Sequence, residues 1–206
     1  MLGTVNPHDV PSLAETRQGE RSLEPSAILD ECWRMLDLGV RDRRSPLHTP
    51  TLATVALDGR PALRTVVLRR VERPTYELFI HTDLRSPKVT EVKREPRVAV
   101  CLYDPTSQTQ LRIDARATVH AGDDAIAQQQ WDRSHPMSRE CYRTPVAPSS
   151  AIDGPDAIGA MQVTGREQFA VLRCVVDRIE WLWLRHDGHR RLRFDLRNSV
   201  HEWLAP

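Results

Sequence analysis

The chain has 206 residues, of which 40% are hydrophobic and 28% are charged, and its formal net charge is +1. A chain of this length can bury a core as one domain, and its near-neutral charge provides no general attraction for nucleic acid or anionic membranes. No apolar stretch approaches the ~20 residues of a membrane span, and no secretory leader opens the chain. We therefore expect a cytoplasmic protein with no membrane or nucleic-acid partner, in which any anion site is local.

Metal and nucleotide motifs are absent from the sequence. Cys32, Cys101, Cys141 and Cys174 are scattered and form no CxxC pair, and the eight histidines show no HExxH or similar spacing. We therefore expect reduced thiols and no metal site. The sequence also contains neither a GxGxxG fingerprint nor a Walker loop, so it gives no support for the nicotinamide- or ATP-binding folds that use them.

The N-terminal part of the chain divides into a tail and a helix. Residues 1–24 are polar and aperiodic, which predicts a mobile tail ahead of one domain at 25–206. Pro25 then begins an amphipathic helix, with apolar residues at helical spacing as far as Val40. Ser45-Pro46 follows its end.

Strands are predicted along most of the remaining chain, as runs with an apolar period of two separated by turn residues. These runs are Thr51–Leu57, Ala62–Arg70, Tyr76–His81, Arg97–Tyr103, Gln110–His120, Gln168–Leu184 and Arg190–Leu196. A short helix from Ser86 and a second helix at Gly122–Ser134 interrupt them, and 135–165 is rich in loops. About six antiparallel strands with few helices predict a mainly β domain with flanking helices, closed as a barrel.

The stretch HTDLRSPKVTEV, His81–Val92, is typical of a strand that passes into a helix. Its junction places Arg85 and Lys88 beside the hydroxyls of Thr82 and Ser86. The helix dipole disfavours cations at a helix N-terminus, so this arrangement is unfavourable for the chain alone. An anion from outside the chain would remove the conflict.

Arginines on the predicted strands extend this argument. They are Arg64, Arg69, Arg112, Arg116, Arg190, Arg191 and Arg193. Any one of them fits a solvated barrel exterior, but the set together with the 85–88 junction is better explained by a pocket for phosphate or another anion. Arginine supplies charge-assisted and bidentate donors to such a group, and lysine supplies a point charge.

Short motifs in a fixed order resemble the pyridoxamine 5′-phosphate oxidase family over roughly residues 26–206. They are Arg64-Thr-Val-Val-Leu-Arg69, Phe79-Ile-His-Thr82, Ser86-Pro-Lys88, Gln110, Ile179-Glu-Trp, Arg191-Leu-Arg-Phe194 and Trp203-Leu-Ala-Pro206. The resemblance implies the FMN-binding split-barrel fold and a homodimer with FMN at the subunit interface.

The resemblance also implies a set of cofactor contacts, some of them supplied by the second subunit. The set is Arg64, Thr65, Val66, Val67, Leu68, His81, Thr82, Arg85, Ser86, Lys88, Gln110, Ser149 and Arg193. By this resemblance, the FMN phosphate is bound by Arg64, Thr82, Ser86 and Lys88. The strand 65–68 lies along the flavin ring. Arg85 stands in for a basic residue that the family often has where this chain has Pro87.

Arg69 takes the position of the family's substrate-side lysine. Arg64 and Arg69 are an odd number of residues apart, so an ideal strand would point them to opposite faces. Either the strand bends or bulges, or the two arginines serve different parts of an extended ligand.

Two departures from the family concern the substrate. The vitamin B6 oxidases hold the substrate phosphate with a Tyr, an Arg and a Ser after the Gln strand, and this trio is not identifiable in Gln128–Pro136. Near the C-terminus the two substrate positions of the family become His189 and Arg191. FMN binding is therefore better supported than B6 oxidation.

We predict an FMN-dependent oxidoreductase, an oxidase or a reductase, for a small polar or anionic substrate. Arg69, His189 and Arg191 are its substrate-side candidates. The alternatives are a true pyridoxamine or pyridoxine 5′-phosphate oxidase and a non-catalytic flavin-binding protein. Nucleic-acid binding by a small barrel is disfavoured, because it needs exposed aromatic residues on a basic groove and only 5% of residues are aromatic.

Overall fold

The structure is a computed structural model that describes residues 22–206. The tail predicted at 1–24 therefore lies outside the described residues as far as residue 21. In the described part of the chain the helices are α1 Pro25–Arg41, α2 Pro87–Arg94, α3 Ala125–Arg133 and α4 Pro136–Arg139. The strands are β1 Thr51–Val55, β2 Pro61–Thr65, β3 Leu68–Glu72, β4 Glu77–Asp83, β5 Arg97–Asp104, β6 Thr109–Ala121, β7 Phe169–Trp183, β8 Arg190–Asp195 and β9 Val200–Leu204.

All of these strands belong to one antiparallel sheet. Its order is β2-β1-β5-β6-β7-β4-β3, and β8 also pairs with β7 and then with β9. The long strand β7 pairs with β6 along most of its length, with β4 through its first half and with β8 through its second half. The predicted class, mainly β with flanking helices, is confirmed. The predicted count of about six strands is wrong, because the sheet has nine within residues 22–206.

The run Ala62–Arg70, predicted as one strand, is two strands with different partners. β2 pairs with β1, whereas β3 pairs with β4, and the chain changes partner between Thr65 and Leu68. Outside either ladder, the Val66 N–H donates to the Pro50 carbonyl over 2.9 Å. A register shift follows between Leu68 and Arg70. The parity conflict between Arg64 and Arg69 is thus resolved by a break and a bulge in the strand.

The alternation predicted for β6 is confirmed, and it separates a core face from an outer face. Leu111, Ile113, Ala115 and Ala117 are buried, whereas the residues between them point outward. Helix α1 covers the core with the apolar face that its periodicity predicts, including Ile28, Cys32, Trp33 and Leu36.

Strand β9 was missed by the sequence interpretation. Its residues Val200–Leu204 are mostly exposed and lack an inward-outward alternation, so an edge strand of this kind leaves no periodic signal. None of the described helices is long and apolar enough to cross a membrane. Within the described residues, no three His, Cys, Asp or Glu side chains are grouped as metal ligands.

Candidate functional site

Lys88 lies in the first turn of α2, and its ammonium group contacts two hydroxyl oxygens. Its Nζ donates to the Ser86 hydroxyl over 2.5 Å and to the Thr82 hydroxyl over 3.2 Å. Both hydroxyl-bearing residues are buried, and Ser86, although it is the N-cap of α2, makes no side-chain cap bond. The strand end and the helix start thus bring together three of the residues predicted to hold the phosphate, and we call Thr82, Ser86, Lys88 and Arg64 the cradle.

Arg64 reaches the cradle from β2 and is held there by the helix. Its Nη2 lies 2.7 Å from the Glu91 carboxylate, and its Nη1 donates to the Thr54 hydroxyl. Glu91 is only 8% exposed in its side chain, so this pair is largely removed from water. Arg64 therefore already has an anionic partner, and a ligand phosphate would share it with Glu91.

The surroundings of Lys88 disfavour its positive charge. Burial lowers the pKa of Lys88 below its ordinary value, and the positive charge of Arg64 lowers it further, against the opposing effect of Asp83 and Glu91. Both causes disfavour the charged ammonium group. An anion placed between the two cations would favour it, because an opposite charge within a few ångströms stabilises the ionised form. The sequence indicated a conflict at residues 85–88 from the helix dipole; in the structure Arg85 is paired with Asp83, and the causes that act on Lys88 are burial and Arg64.

Arg85, expected among the cofactor contacts, uses its donors within the chain. Its Nε and Nη2 bind the two carboxylate oxygens of Asp83 at 3.0 and 2.7 Å. Its Nη1 donates to the Pro145 carbonyl and its Nη2 to the Thr144 carbonyl, at 3.0 and 2.9 Å. The guanidinium group therefore ties the loop after α4 to the end of β4, and Lys88 is left as the cation that faces the two hydroxyls.

We expect Arg85→Ala to loosen this loop. The change removes four charged hydrogen bonds and leaves Asp83 buried without its cation, so the free energy of unfolding should fall by about 1–3 kcal/mol. Amide hydrogen exchange in residues 144–150 should accelerate more than exchange in β6. Arg85→Lys keeps a cation for Asp83 but loses the fork, so exchange in 144–150 should still accelerate while the free energy of unfolding falls less than in Arg85→Ala. Unchanged exchange in 144–150 would contradict the anchoring role.

Ser149 lies further along this anchored loop. Its φ is 69°, in the left-handed region that only a few non-glycine residues adopt. It lines a cavity of about 210 Å³ together with Asp83, whose carboxylate holds Arg85. The loop therefore brings Ser149 to the same end of β4 as the cradle.

Three further predicted residues lie on the outer face of the sheet. Gln110 is in register with Leu182 and Arg191, and the next row of that face joins Glu180 to Arg193. Arg191 donates to Glu180 over 2.6 Å, and Arg193 donates to Glu202 over 3.0 and 2.6 Å. His189, in the β7–β8 turn, accepts a bond from the Arg185 backbone N–H over 3.1 Å. Gln110, Arg191 and Arg193 therefore lie close together on the outer face, and His189 lies in the turn beside them; we call these four residues the outer group.

The cradle and this outer group point to opposite faces of the sheet. Residues paired on neighbouring antiparallel strands share a face. Arg64 is in register with the buried Leu52 and Val100, whereas Gln110 is in register with the exposed Tyr103. Because the sheet separates them, the cradle and the outer group of a single chain cannot line the same pocket.

A basic cavity of about 410 Å³ lies between β3, β4, α3 and α4. Four arginines line it, and none of the described residues that line it is acidic; the arginines are Arg43, Arg69, Arg70 and Arg133. Arg69 was predicted on the substrate side, and it does lie in this cavity. Sequence reasoning missed Arg43 and Arg133, because their only signal was basic character at helix ends.

Two buried donors in this cavity have no hydrogen-bond partner among the described residues: Arg69 Nε and Gln130 Nε2. Buried polar groups are nearly always hydrogen-bonded, and an unmatched donor costs about 1–3 kcal/mol. Arg70 is paired with Glu72, whereas the other three arginines that line the cavity make no ion pair with a described residue. The cavity thus combines excess positive charge with unused donors. That combination suits an oxyanion.

His81 also lines the basic cavity, although it was expected among the cofactor contacts. Thr65 ends β2 and Leu68 begins β3, so Val66 and Val67 lie in the break between the two ladders. Val66 and Leu68 are buried. The segment expected along a flavin ring is therefore the one in which the sheet is interrupted.

Sequence comparison matches part of the chain to a known domain family. Residues 31–121 match the model described as the pyridoxamine 5′-phosphate oxidase, FMN-binding domain. Pyridoxine/pyridoxamine 5′-phosphate oxidase 2 of Arabidopsis thaliana is 39% identical over 90 residues, 42% of this chain and 46% of that protein. The enzyme named pyridoxine/pyridoxamine 5′-phosphate oxidase from Hyphomonas neptunium is 28% identical over 158 residues, 70% of this chain and 69% of that protein. The chain thus spans about half the length of the first relative.

Solved structures match the fold over nearly the whole chain. A pyridoxamine 5′-phosphate oxidase-related, FMN-binding protein from Nostoc punctiforme has a TM-score of 0.71 at 24% identity, covering 90% of this chain and 100% of that one. PhzG from Burkholderia lata has a TM-score of 0.67 at 20% identity, covering 96% and 98%. The fold is therefore that of the FMN-binding split barrels. Together with the sequence match over residues 31–121, this confirms the resemblance to the pyridoxamine 5′-phosphate oxidase family that the motifs indicated.

Proposed function

We propose that this chain is an FMN-dependent oxidoreductase that works as a homodimer on a small anionic substrate. The observation that carries the proposal is the cradle, where Lys88 faces two hydroxyls and where burial, and then the charge of Arg64, lower the pKa of Lys88. It lies inside the segment that matches an FMN-binding domain. A cytoplasmic location is part of the same proposal, supported by four cysteines that are free thiols.

The cradle fits a phosphate monoester in charge and in donor type. Two cations and two hydroxyls converge from β2, the end of β4 and the start of α2. Burial and the charge of Arg64 both lower the pKa of Lys88, and a dianion beside it would favour the charged ammonium group. The dianion would also accept hydrogen bonds from both hydroxyls. When bound, FMN supplies the transfer of hydride or single electrons, while the protein orients the substrate and excludes competing reactions.

The basic cavity supports an anionic substrate. Four arginines and two unpartnered donors line it, and Arg69 joins it to the break between β2 and β3 where the flavin ring is expected. Arginine binds carboxylates and phosphates with paired, charge-assisted hydrogen bonds. We therefore assign the substrate's acidic group to this cavity.

The experiment that tests the proposal is anaerobic reduction of the bound flavin. Loss of the flavin's visible absorption on adding NADH, NADPH or a member of a panel of phosphorylated and carboxylated metabolites would support an oxidoreductase. Reoxidation by air would then separate an oxidase from a reductase. A bound flavin that none of these compounds reduces would favour the non-catalytic alternative.

The second candidate function is oxidation of pyridoxine or pyridoxamine 5′-phosphate, for which the curated relatives are named. Against it, the Tyr, Arg and Ser that hold the substrate phosphate in the family are not identifiable after the Gln strand, and the two C-terminal substrate positions are His189 and Arg191. We expect kcat/KM for these two compounds to fall below the usual enzyme range, which begins at ~10⁴ M⁻¹s⁻¹. Oxygen uptake measures it. A value inside that range would make this a B6 oxidase with a different phosphate clamp.

A further inference from the structure

Gln130 is a polar residue on the buried face of α3. It lies three residues after the buried Ala127 and is itself only 3% exposed. Its Oε1 is 3.3 Å from His81 Nε2, and its Nε2 has no partner among the described residues. Gln130 and His81 both line the basic cavity. An amide this buried, satisfied at one end only, indicates a missing acceptor at the other end.

His81 lies beside one end of the amide, Oε1, and the amide nitrogen is at the other end. Its ring packs edge-on against Phe169, with 4.9 Å between ring centroids. Burial lowers the pKa of His81 to about 4, and the charge of Arg69 acts in the same direction, while the bond to Gln130 opposes it. The ring is therefore neutral near pH 7, and in the tautomer that carries its proton on Nε2 it donates to Gln130 Oε1. The amide nitrogen is left for the cavity.

We propose that Gln130, oriented by His81, is a specificity-determining residue that donates its Nε2–H to an oxyanion bound among the arginines of the basic cavity. The inference rests on the proposed function, since it concerns the substrate side of that site. It adds a neutral, directional contact that neither the arginine pattern nor the family resemblance assigned.

The cavity would then select by hydrogen-bond polarity as well as by charge. Gln130 Nε2, Arg69 Nε and the guanidinium groups can only donate. A phosphate monoester or a carboxylate offers acceptor oxygens to all of them. A protonated amine in the same place would meet like charge and unmatched donors, because no described residue lining the cavity is acidic.

The test is calorimetric titration of the protein, saturated with FMN, with inorganic phosphate. We expect Gln130→Glu to weaken phosphate binding at least tenfold, because it replaces a donor with a negative acceptor. Gln130→Met keeps the side-chain length without the donor, and we expect it to fold and to bind about three- to tenfold more weakly. His81→Phe leaves Gln130 unoriented and should give a loss no greater than that of Gln130→Met.

Gln128→Glu is the matched control. Gln128 lies on the exposed side of the same helix, where it binds Asp132, and it is not among the residues that line the cavity. The change adds the same charge, and phosphate affinity should stay at the wild-type value. Equal weakening in Gln128→Glu and Gln130→Glu would reduce the effect to general charge and overturn the proposal. Wild-type affinity in Gln130→Met, or no phosphate binding by the wild-type protein, would also overturn it.

Measuring the FMN affinity of these variants distinguishes a failure of this inference from a failure of the proposed function. The Gln130 and Gln128 variants should bind FMN like the wild type, because neither residue is among the expected cofactor contacts and the FMN phosphate is assigned to the cradle. If the wild-type protein binds no FMN, the proposed function fails, and the same phosphate titration of the flavin-free protein and its Gln130 variants decides the present inference.

Discussion

Lys88→Ala is expected to weaken FMN binding by about 1.5–3 kcal/mol, the contribution of a charge-assisted hydrogen bond. This is about 10- to 150-fold in Kd. The ammonium group is the cation that faces Thr82 and Ser86, so its loss removes the charge at the centre of the cradle. Titration of apoprotein with FMN, followed by quenching of flavin fluorescence, measures the change. Lys93→Ala, at an exposed position in the last turn of the same helix, is the matched control and should bind like the wild type.

Riboflavin separates a phosphate contact from general damage. It lacks the phosphate, so it should bind poorly to the wild type and be nearly indifferent to Lys88→Ala. Equal losses for FMN and riboflavin would mean that the substitution damages the fold.

Arg64→Ala should weaken FMN binding by a similar amount, about 1.5–3 kcal/mol, with an added effect on stability. Arg64 is the cation that compensates Glu91, which is buried, and removing one partner of such a pair leaves an unpaired charge. Combining Arg64→Ala with Glu91→Gln removes the unpaired buried charge, because glutamine is neutral. If the double variant melts like the wild type and still loses FMN affinity but no riboflavin affinity, the loss belongs to the phosphate contact.

Leu63→Glu is expected to convert a homodimer into monomers. Leu63 is 66% exposed on the outer face of β2, and Tyr103, on the same face, is 42% exposed. Gln110 and Arg193 also point from this face, opposite to Arg64. A second copy that covers the face would bury the apolar residues and bring Gln110 and Arg193 of one chain to the cradle of the other.

The expected effect on the dimer is large. A buried leucine contributes about 1.5–3 kcal/mol. A two-fold symmetric dimer contains each substitution twice, so the dimer Kd should rise at least about 100-fold. We expect an interface above about 2,000 Å², the obligate class, and a parallel loss of FMN affinity. Sedimentation equilibrium measures both states, with Val163→Glu, at a 95% exposed position in the loop before β7, as the control. A wild-type protein that is monomeric at micromolar concentration and binds FMN tightly would contradict the dimer.

Local patterns predicted those parts of the fold in which each residue's role depends on its near neighbours. The alternation along Thr109–Ala121 and the helical period of Pro25–Arg41 both follow from one buried face, and both elements are found where they were predicted. The break after Thr65 depends instead on β2 and β3 having different partners, β1 and β4, which no local pattern records. Strand β9 pairs at an exposed edge and buries little, so it has no periodicity to detect.

In the candidate site, too, the contacts between sequence neighbours were predicted and those between distant segments were not. Thr82, Ser86 and Lys88 are neighbours in sequence, and their grouping was predicted from a charge at a helix start. The role of Arg85 was not, because its partners Thr144 and Pro145 are about 60 residues away along the chain. Gln130 was missed for a similar reason. The sequence of the run 128–130 does not show which of its three glutamines is buried, because that depends on the contact of α3 with His81.

The most direct test of the account is the identity and amount of flavin in the protein as purified. Denaturation releases a bound flavin, and chromatography distinguishes FMN from FAD and riboflavin. We predict FMN, close to one molecule per chain when the apoprotein is reconstituted, with riboflavin unable to replace it. A colourless protein that takes up no FMN on titration, or one that binds riboflavin as tightly as FMN, would contradict the assignment of the phosphate to Lys88 and its neighbours.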